Sequence, residues 1–142
     1  AASTEAAVER FHALSGELRE TEAALERTAG VMAATVSYAK TRPVFDGYKA
    51  ARYSKKYLAE HEAELSDYRA AKAALNELLA GEKLPKIADM KKTRQELAGK
   101  KKALYAEYRK AQEDMRQAVA VKANIDHLLG LTDGRENKAQ ER

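Results

Sequence analysis

The sequence predicts an all-α protein with three long helices, from two observations. Apolar residues in the last third of the chain recur alternately three and four residues apart, the heptad spacing of a coiled coil. The 142 residues include only two prolines and no tryptophan, and 34% are charged, a composition typical of long helices. The heptad positions are Ile87, Met90, Arg94, Leu97, Lys101, Leu104, Tyr108, Ala111, Met115, Ala118, Lys122, Ile125 and Leu129.

The first predicted helix covers residues 1–40 and has a weak apolar seam. Ser3 or Thr4 can cap its beginning, because a side-chain oxygen there accepts a hydrogen bond from a free backbone N–H. Interior Gly16 and Gly30 each lower helix stability by up to about 1 kcal/mol. We therefore expect this helix to need support from its neighbours. Its seam positions are Phe11, Leu14, Leu18, Thr21, Leu25, Thr28, Met32 and Thr35.

A proline predicts the break between the first two helices. Pro43 disfavours the helical conformation at the preceding residue, so the first helix should stop at residues 41–43. The second helix should then run to about Ala80, where Gly81 can close it.

Residues 41–130 are predicted to form an antiparallel coiled-coil hairpin with the first helix packed alongside. The connection around Pro85 is short, and short connections join antiparallel neighbours. Gly130 suits the end of the third helix, and the polar residues 131–142 are expected to form a flexible tail. The predicted register places Leu75 near Ile87 and Met90, Tyr68 near Leu97, Leu58 near Tyr105 and Tyr108, and Tyr48 near Met115 and Val119.

Positive charge is concentrated in the last helix. The net charge is +4, yet residues 82–129 carry twelve Lys/Arg against seven Asp/Glu, whereas residues 1–40 carry four against six. Such a surplus can attract a polyanion, although many solvated helices carry as much.

The stretch YKAARYSKKY, residues 48–57, interleaves aromatic and basic side chains. On the predicted helix, Lys49, Arg52 and Lys56 share one face that could grip phosphates, and Tyr53 and Tyr57 could stack on a base. The alternative is that Tyr48 belongs to the core and the other tyrosines cover its rim.

The sequence contains no catalytic or metal-binding pattern. Cysteine is absent, and His12, His61 and His127 lie on separate predicted helices without metal-ligand spacing. Gly-rich phosphate loops and nucleophile elbows are also missing. We therefore expect no catalytic residue, cofactor or metal in this chain.

The expected location is the cytoplasm, without membrane insertion. No stretch approaches the roughly 20 apolar residues that a membrane-spanning helix needs. The sequence begins without an initiator methionine or a signal peptide, so we expect a fragment of a longer chain.

Four motifs carry a resemblance to a known family: SKKYLAEHEAEL, DYRAAKAA, KKKALYAEYRKA and KANIDHLLG. Together with the surrounding residues 42–130, they resemble the helical C-terminal region of conjugative relaxases, the mobilisation nucleases of integrative conjugative elements in Gram-positive gut bacteria. The resemblance implies a parent that nicks one DNA strand at an origin of transfer, with a tyrosine nucleophile and a histidine-bound metal in an upstream nuclease domain. None of that machinery maps onto a residue of this chain.

The resemblance further implies a non-catalytic accessory domain that positions DNA near the origin of transfer, or helps to assemble the transfer complex, during plasmid or transposon mobilisation. The predicted register brings the start of the second helix beside the end of the third. We therefore expect the nucleic-acid contact surface to consist of Lys49, Arg52, Lys56, Arg109 and Arg116.

The alternative function is a structural or self-associating coiled coil without a nucleic-acid role. Polar seam residues such as Arg94, Lys101 and Lys122 are of the kind that set the register and the number of partners.

Overall fold

The computed structural model describes the backbone of residues 3–141 and the side chains of residues 3–130. Within that range the regular elements are four α-helices and no strand, which confirms the all-α prediction. The helices are α1 (Thr4–Ala50), α2 (Lys55–Glu60), α3 (Glu62–Leu79) and α4 (Ile87–Glu141).

The chain divides into two compact units, to which α1 and α4 both contribute. The first, here called the seam unit, combines α1 up to Thr21 with α4 from Lys100 onward. The second, here called the aromatic unit, spans Glu22–Gly99. Helix α1 therefore crosses the predicted boundary between residues 40 and 41.

The predicted break at residues 41–43 is wrong, because α1 continues through Pro43 to Ala50. Proline inside a helix removes one backbone hydrogen bond and costs about 3 kcal/mol. Packing on both sides of Pro43 offsets this cost, since Thr41 and Tyr48 are buried and Phe45 stacks on Tyr68 with ring centroids 4.2 Å apart. Tertiary contacts thus override the local preference.

Every position of the seam predicted for α1 is buried or half-buried, although Val31 and Ala34, which the prediction did not include, are buried as well. The threonines of the seam fit because their hydroxyls are satisfied locally. Thr21 is only 3% exposed, and its Oγ1 donates a hydrogen bond to the Glu17 carbonyl at 2.8 Å. Thr28 and Thr35 make the same bond to the carbonyl four residues earlier. A buried hydroxyl is costly only when it is unpaired, so threonine can replace leucine here.

In the aromatic unit, α1 packs antiparallel against α3 through stacked rings. Tyr68 is buried between Phe45 and Tyr38, and its ring centroid lies 5.4 Å from that of Tyr38. Burial raises the pKa of the Tyr68 phenol above its ordinary value, and the adjacent Tyr38 adds to the shift. Leu65, also on α3, is 1% exposed. The prediction that Tyr68 meets Leu97 missed these α1 partners.

Helix α4 enters the aromatic unit at the predicted place. Met90 packs in one cluster with Leu75, as the register predicted, and with Val31 of α1. The preceding turn is held by Arg27, whose Nε donates to the Leu78 carbonyl at 3.1 Å and whose guanidinium lies 3.3 Å from the Glu82 carboxylate.

In the seam unit, α1 and α4 form an antiparallel pair with heptad packing. Leu14 and Leu18 cluster with Leu104 and Ala111, and the rings of Phe11 and Tyr108 lie 5.0 Å apart. The register that assigned Leu58 to Tyr105 and Tyr108 is wrong, because the first helix takes that place. Phe11, Leu14 and Leu18 of α1 pack against α4 where this register placed Leu58.

Helix α4 does not end at Gly130, because its backbone continues to Glu141. The side chains of the predicted flexible tail, residues 131–142, lie outside the described part, and its mobility stays a prediction. The predicted seam is least exposed between Met90 and Ala118, whereas Ile125 and Leu129 are 52% and 60% exposed.

Candidate nucleic-acid interface

The basic and aromatic stretch identified in the sequence forms the turn between α1 and α2. At the end of α1, the N–H of Tyr53 donates to the carbonyl of Tyr48 at 3.0 Å, and the N–H of Arg52 donates to the carbonyl of Lys49 at 2.9 Å. This pair of bonds is the Schellman motif, which commonly ends helices. The apolar contact that accompanies the motif is made by the rings of Tyr48 and Tyr53, 5.2 Å apart and edge to face.

Two residues of this turn adopt a backbone conformation that usually belongs to glycine. Arg52 has φ of 54° and Tyr53 has φ of 59°, both in the left-handed region. A side chain with a Cβ costs roughly 1 kcal/mol or more at such a position. The helix end is therefore less stable with Arg52 than it would be with glycine.

Tyr57 ties the start of α2 back to α1 across the turn. Its hydroxyl donates to the Val44 carbonyl at 2.7 Å, and its ring stacks at 6.0 Å from that of Tyr48. This approach favours glycine at position 47, since a Cβ there would clash with the Tyr57 hydroxyl oxygen. Ser54 caps α2 by accepting a hydrogen bond from the Tyr57 N–H at 3.3 Å.

The tyrosines of the turn have different roles. Tyr48 is buried and Tyr57 is committed to Val44, so the packing interpretation holds for both. Tyr53 touches Tyr48 edge to face and is nevertheless 60% exposed. Of the two tyrosines proposed to stack on a base, Tyr53 offers an accessible ring.

Four cations surround Tyr53, and we call this set the basic tip: Lys49, Arg52, Lys55 and Lys56. All four are exposed, and residues 49–59 contain no carboxylate. Within the described part of the chain, Lys49 has an acidic neighbour, the Asp46 carboxylate at 3.8 Å, and its ammonium also lies 5.3 Å from the Phe45 ring centroid.

Three of the four cations occupy positions that do not favour stability. Arg52 has the left-handed backbone described above, and Lys55 and Lys56 lie in the first turn of α2, where the helix dipole favours acidic residues. Residues that break local rules without a stabilising gain concentrate at functional sites. The tip is therefore a better candidate for binding than its charge alone would indicate.

The five residues that the sequence grouped into one contact surface belong to different units of the chain. Lys49, Arg52 and Lys56 belong to the aromatic unit, whereas Arg109 and Arg116 are exposed on α4 in the seam unit. Arg109 lies over the Tyr105 ring at 4.7 Å. The prediction that Lys49, Arg52 and Lys56 share one helix face is wrong, because α1 ends at Ala50 and α2 begins at Lys55. Their role in a contact surface stays a prediction.

Sequence reasoning missed that the cationic stretch is a turn. A signal was present, since residues 49–59 carry four cations without a single carboxylate. The stretch contains neither glycine nor proline, the residues that normally mark a turn in a sequence. Arg52 and Tyr53 form this one without either.

A groove of about 690 Å³ runs along α1 in the aromatic unit and is a weaker candidate for a polyanion. Small and apolar side chains such as Ala33 and Val36 form its floor. Glu64 and Asp67 of α3 border it together with Arg94, so both signs of charge face any ligand. Two carboxylates would repel phosphates there, unlike at the basic tip.

Among the residues whose side chains are described, no three His, Asp or Glu side chains are grouped so that they could hold a metal ion. No helix in that part is long and apolar enough to cross a membrane. Comparisons of the chain with protein-family models, curated proteins and solved structures find no match. The resemblance to relaxases therefore remains a hypothesis that rests on the sequence motifs.

Proposed function

We propose that this chain is a non-catalytic helical domain that contacts DNA through the basic tip, as an accessory region of a conjugative relaxase. The observation that carries the proposal is the turn of residues 49–59, with four exposed cations, no carboxylate and an exposed tyrosine. The relaxase assignment, and with it DNA near an origin of transfer or transfer-complex proteins as partners, rests on the sequence motifs alone.

Physical arguments support the tip as the contact site. Phosphates are attracted to clustered cations, and each contact releases counterions, so the binding is strongly salt-dependent. An accessible aromatic ring among cations adds a stacking surface for a base. The helices on both sides of the turn are joined by the Tyr57–Val44 hydrogen bond, so the cations are held on a fixed support.

A fluorescence anisotropy titration tests the proposal. The chain is titrated into labelled single-stranded and duplex DNA at about 50 mM and about 200 mM salt. Three to four phosphate contacts should lower the affinity by roughly 20-fold (single strand, three contacts) to 150-fold (duplex, four contacts) between the two salt concentrations. The variant R52Q/K55Q/K56Q should bind at least roughly tenfold more weakly and reduce the salt slope by about three.

The matched control is K91Q/K92Q/K100Q, which removes the same charge from exposed positions of α4. It should retain most of the affinity of the unmodified chain. Absence of salt-sensitive binding would refute DNA contact by this chain. Equal losses in the two variants would show that general charge, and not the tip, is responsible.

A second candidate function is that of a structural, self-associating coiled coil without a nucleic-acid role. The observation that favours it is the apolar surface of α4 beyond Ala118, where Val121 and Ile125 are 57% and 52% exposed. Exposed apolar side chains that repeat at helical spacing are typical of a helix that pairs with another helix. Sedimentation velocity over a range of concentrations separates the two candidates, because DNA binding at the tip does not require self-association.

A further inference from the structure

His61 is the single residue between α2 and α3. Its backbone N–H donates to the Tyr57 carbonyl at 3.0 Å, and its carbonyl accepts a hydrogen bond from the Leu65 N–H at 2.9 Å. With φ of −121° and ψ of 26°, it interrupts the helical path between the two elements. The direction in which α2 presents Lys55 and Lys56 therefore depends on how His61 is held.

The imidazole of His61 contacts the residue that ties the tip to α1. Its ring centroid lies 4.2 Å from that of Tyr57, whose hydroxyl donates to the Val44 carbonyl. The Nδ1 atom is enclosed and has no hydrogen-bond partner within the part of the chain that the structure describes. Glu64 brings a carboxylate oxygen to 3.9 Å from Nδ1, just beyond hydrogen-bonding distance. An enclosed polar atom without a partner is uncommon in folded proteins and calls for an explanation.

We propose that His61 is a pH-sensitive positioning residue of the basic tip, and that protonation of its imidazole tightens the contact of the tip with DNA. The inference deepens the proposed function and rests on it, since it names how the same site is regulated. Histidine is the side chain that ordinarily changes its charge between pH 5 and 8.

Protonation turns the enclosed Nδ1 into a donor that faces a carboxylate. Both ring nitrogens of an imidazolium carry a proton, so Nδ1–H can donate to Glu64. The Glu64 side chain is half exposed and has to approach by only about 1 Å to form a charge-assisted hydrogen bond. The proton also turns the ring contact with Tyr57 into a cation–π contact. The imidazolium thus braces the tyrosine that holds α2 and its lysines.

Acidic groups adjoin His61 on both sides along the chain. Glu60 ends α2, whereas Glu62 and Glu64 lie in the first turn of α3, where they offset the unfavourable effect of the α3 dipole on a cation. Lys40 of α1 borders the groove that Glu64 also lines, so it is an alternative partner for that carboxylate. The titratable groups around His61 are thus Tyr57 and Glu60 of α2, Glu62 and Glu64 of α3, and Lys40 of α1.

The expected effect on DNA binding is modest. Protonation adds one positive charge beside the four exposed cations of the tip and holds α2 more firmly, and both changes favour phosphate contact. The affinity for single-stranded DNA should therefore rise roughly two- to fivefold between about pH 7.5 and about pH 5.5 at low salt. The phosphates of the DNA backbone do not titrate in that range.

Fluorescence anisotropy titrations at the two pH values test the inference. The gain in affinity should disappear in His61→Gln, which cannot gain a proton, and in His61→Phe, which keeps a ring against Tyr57. The matched control H12Q/H127Q removes the other two histidines, which are exposed and belong to the seam unit, and should keep the gain. Glu64→Gln should reduce the gain, because the imidazolium loses its charged acceptor.

The ring resonances of Tyr57 provide a readout that needs no DNA. In the unmodified chain they should shift with pH together with the imidazole resonances of His61, and Tyr57 resonances that do not follow His61 would overturn the brace. A gain in affinity that survives both His61 substitutions, or equal binding at the two pH values, would overturn this inference alone. Absence of DNA binding at both pH values would overturn the proposed function together with it.

Discussion

Helix α1 packs differently in the two units of the molecule. In the seam unit its leucines meet Leu104 and Ala111 of α4 at regular heptad intervals. In the aromatic unit its contacts are individual, such as the Phe45–Tyr68 stack and the Val44 carbonyl that accepts from Tyr57. One unit thus depends on repetition and the other on particular pairs of groups.

The difference shows which unit fixes a single packing geometry. A repeated aliphatic seam can pair with different helices, because each layer offers the same kind of contact. Its exposed continuation on α4 is the surface that favours the second candidate function, self-association. Rings and hydrogen bonds fix one geometry, and the aromatic unit uses them to hold the turn that carries the basic tip. Substitutions should therefore cost more in the aromatic unit than in the seam unit.

The largest expected effect is the loss of a core leucine in the aromatic unit. Leu65→Ala removes a side chain that is 1% exposed and should lower the free energy of unfolding by about 3 to 4 kcal/mol. Leu104→Ala, at a 7% exposed position of the seam unit, should cost about 2 kcal/mol. Urea unfolding followed by circular dichroism measures both, and equal costs would remove the contrast between the units.

Replacing either of two glycines of α1 with alanine should change the free energy of unfolding, in opposite directions. Gly47→Ala places a Cβ against the Tyr57 hydroxyl and should destabilise by about 2 kcal/mol. Gly16→Ala meets nothing within 4 Å and should stabilise by about 0.5 to 1 kcal/mol through helix propensity. Adding Tyr57→Phe should reduce the cost of Gly47→Ala, because the hydroxyl oxygen is the nearest atom. Stabilisation by Gly47→Ala would show that the tie across the turn is not made.

Arg52→Gly should separate stability from binding at the tip. Glycine relieves the left-handed backbone, so the free energy of unfolding should rise by about 0.5 to 1 kcal/mol. The same change removes a cation and should weaken DNA binding several-fold. Urea unfolding and the anisotropy titration with DNA, done on one preparation, measure the two effects. An Arg52→Gly variant that is more stable and binds DNA as well as the unmodified chain would exclude Arg52 from the interface.

The smallest expected effect is a dependence of stability on alkaline pH. Because burial holds the Tyr68 pKa above its ordinary value near 10, the neutral phenol is favoured in the folded chain. Its contribution is complete below about pH 10 and is lost as the pH rises from there through the folded-state pKa. The difference between the unfolding free energies at about pH 9 and about pH 11 should therefore be smaller in Tyr68→Phe than in the unmodified chain. An unchanged difference would assign the loss to other groups.

Periodicity predicted long helices and the apolar seams of the first and last helix, but not where the helices end or which helix pairs with which. The seam of α1 and the Leu75–Met90 contact follow from spacing and a short connection, both of which are local properties of the sequence. The passage of α1 through Pro43 depends on Tyr68, a residue 25 positions away whose stacking offsets the local cost. The candidate residues Lys49, Arg52 and Lys56 were identified by type, whereas their turn geometry depends on the Schellman bonds of a non-glycine cap.

Amide chemical shifts measured during titration with a short single-stranded DNA test the central claim most directly. Contact through the basic tip predicts that the shifted resonances concentrate in residues 49–57, with little change along the exposed lysines of α4. Shifts spread over residues 91–110 with none at the turn would contradict the account.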